Sequence, residues 1–149
     1  MKYIIFTLIL IASFSSCKKE ITISNDDYLT FGTFHGECMG NDCVKLFVIK
    51  ENKLYEDPND FNGTRLGFIP LSNEKFNQVK DLVDYIPNEL FQKEKETFGC
   101  PDCVDQGGIY VRYFIEGKKG EFRFDNNLNA NPTYLHEFVA KINEKLKLL

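Results

Sequence analysis

Several short stretches of the chain alternate hydrophobic and polar residues with the two-residue period of a β-strand. They are also rich in aromatic and β-branched side chains, which favour strands. Turn-forming residues separate them, so neighbouring stretches are expected to pair as hairpins around 51–53 and 117–120. Five stretches and one weaker candidate are predicted as strands: 28–36, 44–50, 54–56, 109–116 and 121–125, with 64–71 as the sixth.

Elsewhere the period changes to that of a helix. Ser72 is suited to cap a helix that runs up to Pro87. A second short helix is predicted over 87–95, with proline at its first position. A terminal helix is predicted from Pro132, because its apolar residues share one face and lysines occupy the opposite face. The apolar positions of the first and last helices are Phe76, Val79, Val83 and Ile86, and Leu135, Phe138, Val139, Ile142 and Leu146.

Runs of strands followed by helices are typical of an α+β fold. The expected architecture is an antiparallel sheet of five to six strands, with two main helices packed on one face. Each half of the chain has a cysteine pair, then a hairpin and then an amphipathic helix, which suggests two hairpin–helix units. Because the spacing is inexact and only two units exist, chance similarity is the alternative.

The composition is that of one globular domain. The chain has 149 residues, of which 43% are hydrophobic, and 14 Phe and 7 Tyr supply apolar surface that a disordered chain lacks. Its formal net charge is −4, and no Lys/Arg stripe stands out. This balance excludes a basic nucleic-acid binder.

The first sixteen residues have the parts of a secretory signal. Lys2 is their only charged residue, residues 4–12 form an apolar run, and small residues follow. The run is about half the ~20 residues that a helix needs to cross a bilayer. Residues 1–16 are therefore predicted to be an export signal, directly followed by Cys17.

Phe14-Ser15-Ser16-Cys17 resembles the lipobox of Bacteroidetes-type lipoproteins, which tolerate Phe where others have Leu. The resemblance implies that Cys17 Sγ receives a diacylglyceryl group, that the signal is cut after Ser16, and that the new amine is acylated, for example with palmitate. Two or three acyl chains anchor a protein firmly to a membrane, whereas one chain does not. The alternatives are an ordinary cleaved signal with Cys17 as a spare thiol, and an uncleaved membrane span.

This interpretation divides the chain into three parts. Residues 1–16 are the signal peptide, 17–27 are the lipidated cysteine and a polar tether, and 28–149 are a single α+β domain. The protein is expected in the cell envelope, lipid-anchored to a membrane. The outer membrane is favoured, with the domain facing the periplasm or the outside.

Four cysteines remain once Cys17 carries lipid: Cys38, Cys43, Cys100 and Cys103. An exported protein with an even number of cysteines is expected to pair them. Pairing of sequence neighbours is favoured, because Gly40 and Pro101 suit turns between them. A cross-pairing between the two motifs stays open, and would close a loop of about sixty residues and stabilise the fold by about 4 kcal/mol.

The same cysteines allow two kinds of chemistry. Cys100-Pro101-Asp102-Cys103 has the spacing of thiol–disulfide proteins, but no helix is predicted after it, and Asp102 and Asp105 would repel a thiolate. The spacings Cys-x4-Cys and Cys-x2-Cys also suit zinc. An oxidising compartment favours structural disulfides over both. The zinc ligands would come from Cys38, Cys43, Cys100, Cys103 and His35.

The motifs HGEC-x4-C, starting at His35, and CPDCVDQGG, starting at Cys100, resemble uncharacterised Cys-containing lipoproteins of the same Bacteroidetes type. The likeness spans most of the mature domain. It implies the fold and the export of this chain, and it transfers no catalytic residue.

Other polar residues lack a chemical motif. His136 lies at the edge of the apolar stripe of the last helix, His35 ends a strand, and Arg112 is expected to face water. No nucleophile elbow, glycine-rich phosphate loop or His-Glu-x-x-His motif is present. Two aspartate pairs are calcium candidates without the EF-hand pattern, and are more often solvated: Asp57 with Asp60, and Asp102 with Asp105.

The expected function is binding rather than catalysis. An aromatic-rich domain on a lipid anchor, without a catalytic set, suits a binding or envelope-scaffold module for a protein or small-molecule ligand. The exposed side of the sheet and the Asn/Asp-rich loops are the candidate surfaces. The alternative is thiol–disulfide or zinc-dependent activity at Cys100 and Cys103.

Overall fold

The computed structural model describes residues 24, 26–36, 43–58 and 67–149. The predicted signal peptide, Cys17, most of the tether and Cys38 lie outside the described residues. Within them the chain forms seven strands: β1 (Tyr28–Phe34), β2 (Val44–Lys50), β3 (Lys53–Asp57), β4 (Ile69–Pro70), β5 (Lys95–Phe98), β6 (Gly108–Ile115) and β7 (Lys118–Asp125). The helical segments are α1 (Asn73–Val79), α2 (His136–Leu146) and 3-10 turns at Lys80–Tyr85, Leu90–Gln92, Leu128–Ala130 and Thr133–Leu135.

The strands form one sheet in the order β4-β3-β2-β1-β6-β7-β5. Neighbouring strands are antiparallel except β5, which runs parallel to β7. The predicted α+β class is confirmed. The prediction of five to six strands in a purely antiparallel sheet was wrong, because the sheet has seven strands and is mixed.

Strand β5 replaces the end of the short helix predicted over 87–95. Only Leu90–Gln92 are helical there, and the chain then extends along β7. The Glu121 amide donates to the Glu94 carbonyl at 2.8 Å. Phe98 stacks on Phe124, with ring centroids 5.5 Å apart. Because β5 is mostly polar, it depends on this partner rather than on its own strand propensity.

Two hairpins have two-residue turns. The β2–β3 turn has Glu51 and Asn52 at φ of 53° and 55°. The β6–β7 turn has Glu116 and Gly117 at φ of 51° and 74°. Positive φ at both central residues is typical of type I′ turns, whose twist matches that of the paired strands. The second turn is thus tighter than the predicted 117–120, and β7 starts directly after it.

One face of the sheet carries the main core. On the central strand β1, Leu29 and Phe31 belong to this core and are fully buried. An aromatic ladder crosses β6 and β7, with the ring centroids of Tyr113 and Phe122 6.0 Å apart and those of Phe122 and Phe124 6.3 Å apart. The buried residues of the two helical regions that pack on this face are Val79, Leu82, Val83, Ile86, Phe138, Val139 and Ile142.

Helix α1 begins at its predicted cap. Ser72 Oγ accepts a hydrogen bond from the Lys75 amide at 3.3 Å. The α-helix ends at Val79 and continues as a 3-10 segment to Tyr85. The predicted helix up to Pro87 is therefore α-helical only in its first half.

Helix α2 begins at His136, after one 3-10 turn that follows Pro132. Lys145 of α2 is buried, and its Nζ lies 2.7 Å from Asp81 Oδ1 and 2.7 Å from the Gln78 carbonyl oxygen. A buried cation is tolerated only with such partners. This side chain therefore ties α2 to the helical region after β4.

The opposite face of the sheet is also buried along its centre. In β2, residues 46–49 are all buried, so this strand contacts protein on both sides. Phe34 and Tyr110 pack with β2 in a second, smaller cluster. Arg112 is exposed, as predicted, and its guanidinium lies 5.9 Å from the ring centroid of Tyr28. The aromatic residues at the centre of this face are therefore not an open patch.

Tyr113 makes the alkaline stability of the core testable. Its hydroxyl donates to the Leu90 carbonyl at 2.8 Å, and burial raises the pKa of Tyr113 to about 12. Between about pH 10 and 12 the folded state keeps a proton that the unfolded chain releases, so this residue lowers the free energy of unfolding by about 1.4 kcal/mol per pH unit as the pH rises.

We expect Tyr113→Phe to lower the free energy of unfolding by about 1 kcal/mol at neutral pH, because one hydrogen bond is lost. Above pH 10, the free energy of unfolding of the variant should fall less steeply with pH than that of the wild type. Urea unfolding at pH 7 and at several values above pH 10 measures both effects. The quantity to compare at each pH is the difference in free energy of unfolding between the two proteins, because both contain the same lysines. Equal alkaline slopes would contradict the prediction.

Candidate functional site

Three loops meet at one end of the sheet. Strand β1 ends where β2 and β6 begin, with Phe34 paired to Val44 and to Gly108. Gly108 is in turn paired to Asp125, at the end of β7. The described residues directly beyond these positions therefore lie side by side. We call this surface the loop end; its described residues are His35, Gly36, Cys43, 99–107 and 126–131.

Cys100 and Cys103 form a disulfide in the loop before β6, with their Cα atoms 5.5 Å apart. The Cys103 amide donates to the Cys100 carbonyl at 3.3 Å, so the bond closes one four-residue turn. Both residues are exposed. This fits the local pairing favoured for the motif. Cys43 is also disulfide-bonded, and its predicted partner Cys38 lies outside the described residues.

Asp102 holds this loop against the ends of two strands. Its Oδ2 accepts a hydrogen bond from the Gly36 amide at 2.5 Å, and its Oδ1 accepts one from the Gly107 amide at 2.9 Å. Hydrogen bonds to a carboxylate are stronger than those between neutral groups. The aspartate spacing predicts a solvated or calcium-binding Asp102 and does not indicate this role. No local pattern links it to a glycine 66 residues away.

Gln106 braces the same loop from within. Its Nε2 donates to the Cys100 carbonyl at 2.9 Å, and its Oε1 accepts from the Val104 amide at 2.8 Å. Its backbone carbonyl accepts from Asn126 Nδ2 at 3.0 Å, which links this loop to the one after β7. Val104 belongs to this hydrogen-bonded loop and is 81% exposed.

A buried network fixes the loop after β7. Asn131 Oδ1 accepts from the Asp125 amide at 3.2 Å, and its Nδ2 donates to the carbonyls of Asp125 and Asn127 at 2.9 and 3.0 Å. The Asp125 carboxylate accepts from the Cys100 amide at 3.0 Å, so the network reaches the disulfide loop. His136 lies on the helix flank, and its Nε2 is 3.0 Å from the Asn131 carbonyl oxygen.

The structure brings His35 next to the disulfide loop, as a shared metal site would require. A Cβ on Gly107 would collide with the His35 ring and with the Phe34 carbonyl oxygen. In the described part of the chain, no group of three or more His, Cys, Asp or Glu side chains could hold a metal ion. A zinc site here would need Cys100 and Cys103 as thiolates, whereas they are joined to each other.

A cleft of about 460 Å³ lies at the opposite end of the sheet. There Asp27, just before β1, accepts a hydrogen bond from the Glu116 amide at 3.2 Å, so the chain enters the domain beside the cleft. Three segments that are distant in the sequence form the walls, so no local pattern predicts the cleft. The walls are mainly acidic and aromatic, and include Asp84, Tyr85, Glu89, Phe91, Tyr134 and Glu137.

Within residues 24–149, as far as the structure describes them, no helix has the length and apolar character to cross a membrane. Comparison of the chain with protein-family models gave no match, and no curated protein is significantly similar to it. The residues and their geometry therefore carry the functional assignment.

We expect Asn131→Ala to lower the free energy of unfolding by about 2–4 kcal/mol, because it removes three hydrogen bonds, two of them to the buried backbone amide and carbonyl of Asp125. Denaturant unfolding measures the loss. Asn129→Ala is the matched control, since Asn129 is exposed in the same loop, and it should change stability by less than about 0.5 kcal/mol. Equal effects of the two substitutions would refute the role given to Asn131.

Proposed function

We propose that this protein is an exported lipoprotein whose single α+β domain binds a partner through the loop end. Cys17 carries the lipid anchor, and the domain is a binding or envelope-scaffold module rather than an enzyme. The signal anatomy of residues 1–16, directly followed by Cys17, supports export and lipidation. The acidic balance, with a net charge of −4, supports a protein or small-molecule partner over a nucleic acid.

The observation that carries this proposal is the distance between the chain entry and the loop end. Asp27 and Glu116 meet at one end of β1, whereas Gly36 and Asp102 meet at the other. The strand between them has seven residues and spans about 20 Å. A domain anchored through the residues before Asp27 would therefore present the loop end away from the membrane, where a partner can reach it.

The order of the loop end also supports binding there. Asp102, Gln106 and Asn131 fix its loops through hydrogen bonds, and a surface that is already ordered loses less conformational entropy when it binds. Val104 adds exposed apolar surface on that rigid frame. The face of the sheet opposite the main core is the weaker candidate surface, because Phe34 and Tyr110 on that face are buried.

A photoreactive amino acid at position 104 tests the proposal in intact cells. We expect a discrete cross-linked species from position 104 and none from position 148. Leu148 is the matched control, because it is also an exposed apolar residue but lies beyond the far end of α2.

Cys17→Ser should abolish both the acyl mass of the purified protein and the cross-link from position 104, because the chain would no longer be held at the membrane. Equal labelling from positions 104 and 148 would count against binding at the loop end. A cell-made protein that keeps residues 1–16 and carries no acyl mass would refute the lipoprotein assignment.

Thiol–disulfide activity at Cys100 and Cys103 is the second candidate function. It is favoured by the exposure of both residues, which makes the bond accessible to other thiols. Against it, β6 begins at Gly108, so no helix N-terminus follows the motif to stabilise a thiolate. Asp102 also places a carboxylate within the motif.

The reduced protein should not accelerate the reduction of insulin by dithiothreitol, because its motif lacks these activating features. The rate should equal that of the Cys100→Ser, Cys103→Ser double variant. A rate clearly above that control would favour the enzyme, and a mass lost from the intact protein on chelation would favour zinc.

A further inference from the structure

Asp102 lies between the two bonded cysteines and joins the ends of the two central strands. Its carboxylate accepts from Gly36, just after β1, and from Gly107, just before β6. The strands do not need these contacts for their register, because β1 is already paired with β6 over its whole length. The contacts instead fix the disulfide loop onto the end of the sheet.

Asp102 makes these contacts from a strained backbone. Its φ is +65°, in the left-handed region that disfavours residues with a Cβ. Relaxation to the right-handed region would change φ by about 130° and move the side chain with it. The disulfide spans the turn that contains Asp102, so it opposes this relaxation.

We propose that the Cys100–Cys103 disulfide is a redox-sensitive latch. With the bond formed, Asp102 holds the Gly36 and Gly107 amides. With the bond reduced, Asp102 leaves the left-handed conformation, and both amides lose their acceptor. The disulfide thus controls the order of the loop end. The effect on partner binding rests on the proposed function, whereas the latch itself does not.

Opening the latch requires an external dithiol. One thiolate of the dithiol attacks an exposed cysteine sulfur, and the other cysteine sulfur leaves with the bonding electron pair and takes up a proton. The second thiolate then attacks the mixed disulfide and releases the first cysteine as a thiol. Two electrons and two protons pass to Cys100 and Cys103, and the dithiol becomes a disulfide.

Hydrogen exchange of single amides in the purified full chain, kept in detergent, tests the latch. The Cys100→Ser, Cys103→Ser double variant mimics the reduced loop and leaves Cys43 untouched. We expect the Gly36 and Gly107 amides to exchange roughly tenfold to a hundredfold faster than in the wild type, the factor expected for a lost hydrogen bond to a carboxylate. The Tyr113 amide, in the middle of β6, should keep its rate.

Two further variants keep every cysteine. Asp102→Gly removes the carboxylate without adding backbone strain, since glycine accepts positive φ, and should accelerate both amides. Gly36→Ala adds a Cβ that would collide with the Asp102 carboxylate, and should accelerate the Gly107 amide.

Asp105→Gly is the matched control. Asp105 lies in the same loop at φ of +57°, and its carboxylate has no hydrogen bond among the described residues. The Gly36 and Gly107 amides should therefore exchange in this variant as in the wild type.

Wild-type exchange of Gly36 and Gly107 in the double serine variant would overturn the latch, as would equal acceleration by Asp105→Gly and Asp102→Gly. If Tyr113 also exchanges fast in the double variant, loss of the bond unfolds the sheet and not only the loop end, and the latch is refuted as well. A missing cross-link from position 104 alongside the expected exchange rates would refute the proposed function and leave the latch standing.

Discussion

The position of β1 between β2 and β6 is the constraint on which the structure depends. Every residue of β1 is paired on both sides, so its neighbours fix its register and the direction of both its ends. Gly32 permits this close pairing, because a Cβ there would lie 2.9 Å from Leu46 Cα. Since β2 and β6 begin where β1 ends, the two residues after β1 reach both cysteine motifs: the His35 amide donates to the Cys43 carbonyl, and the Gly36 amide donates to the Asp102 carboxylate.

Some elements are specified by residues that lie a few positions apart, and these elements could be predicted from the sequence. Strand β2 has the predicted bounds 44–50, and α1 begins directly after its cap Ser72. In both, residues a few positions apart supply the signal. Strand β5 has no such signal, because only Phe98 within it is buried and its backbone partners belong to β7. A strand that its partner specifies cannot be recognised from its own residues.

Some features of the candidate site could likewise be predicted from neighbouring residues, whereas others could not. Pro101 and the cysteine spacing are local, so the disulfide-bonded turn could be predicted. The hydrogen bonds of Asp102 to Gly36 and of Asp125 to Cys100 depend instead on the neighbouring positions of β1, β6 and β7. An Asn/Asp-rich stretch indicates a loop, but it does not reveal that Asn131 is its buried centre.

A disulfide across four residues adds little to the stability of the whole fold. In the chain-entropy model it contributes about 2 kcal/mol, against about 4 kcal/mol for a sixty-residue loop closed by cross-pairing of the two motifs. The aromatic core of β6 and β7 does not depend on it, because Tyr113, Phe122 and Phe124 are buried by contacts with one another and with Phe138 of α2.

The Cys100–Cys103 bond therefore affects mainly the conformation of its own loop. It favours the one backbone conformation of Asp102 from which a single carboxylate reaches two strand ends. A bond placed in this way can open while the sheet stays folded, whereas a bond between the halves of the domain would loosen both when it opened. Under the proposed anchoring through the residues before Asp27, the order of the loop end can then change without release from the membrane.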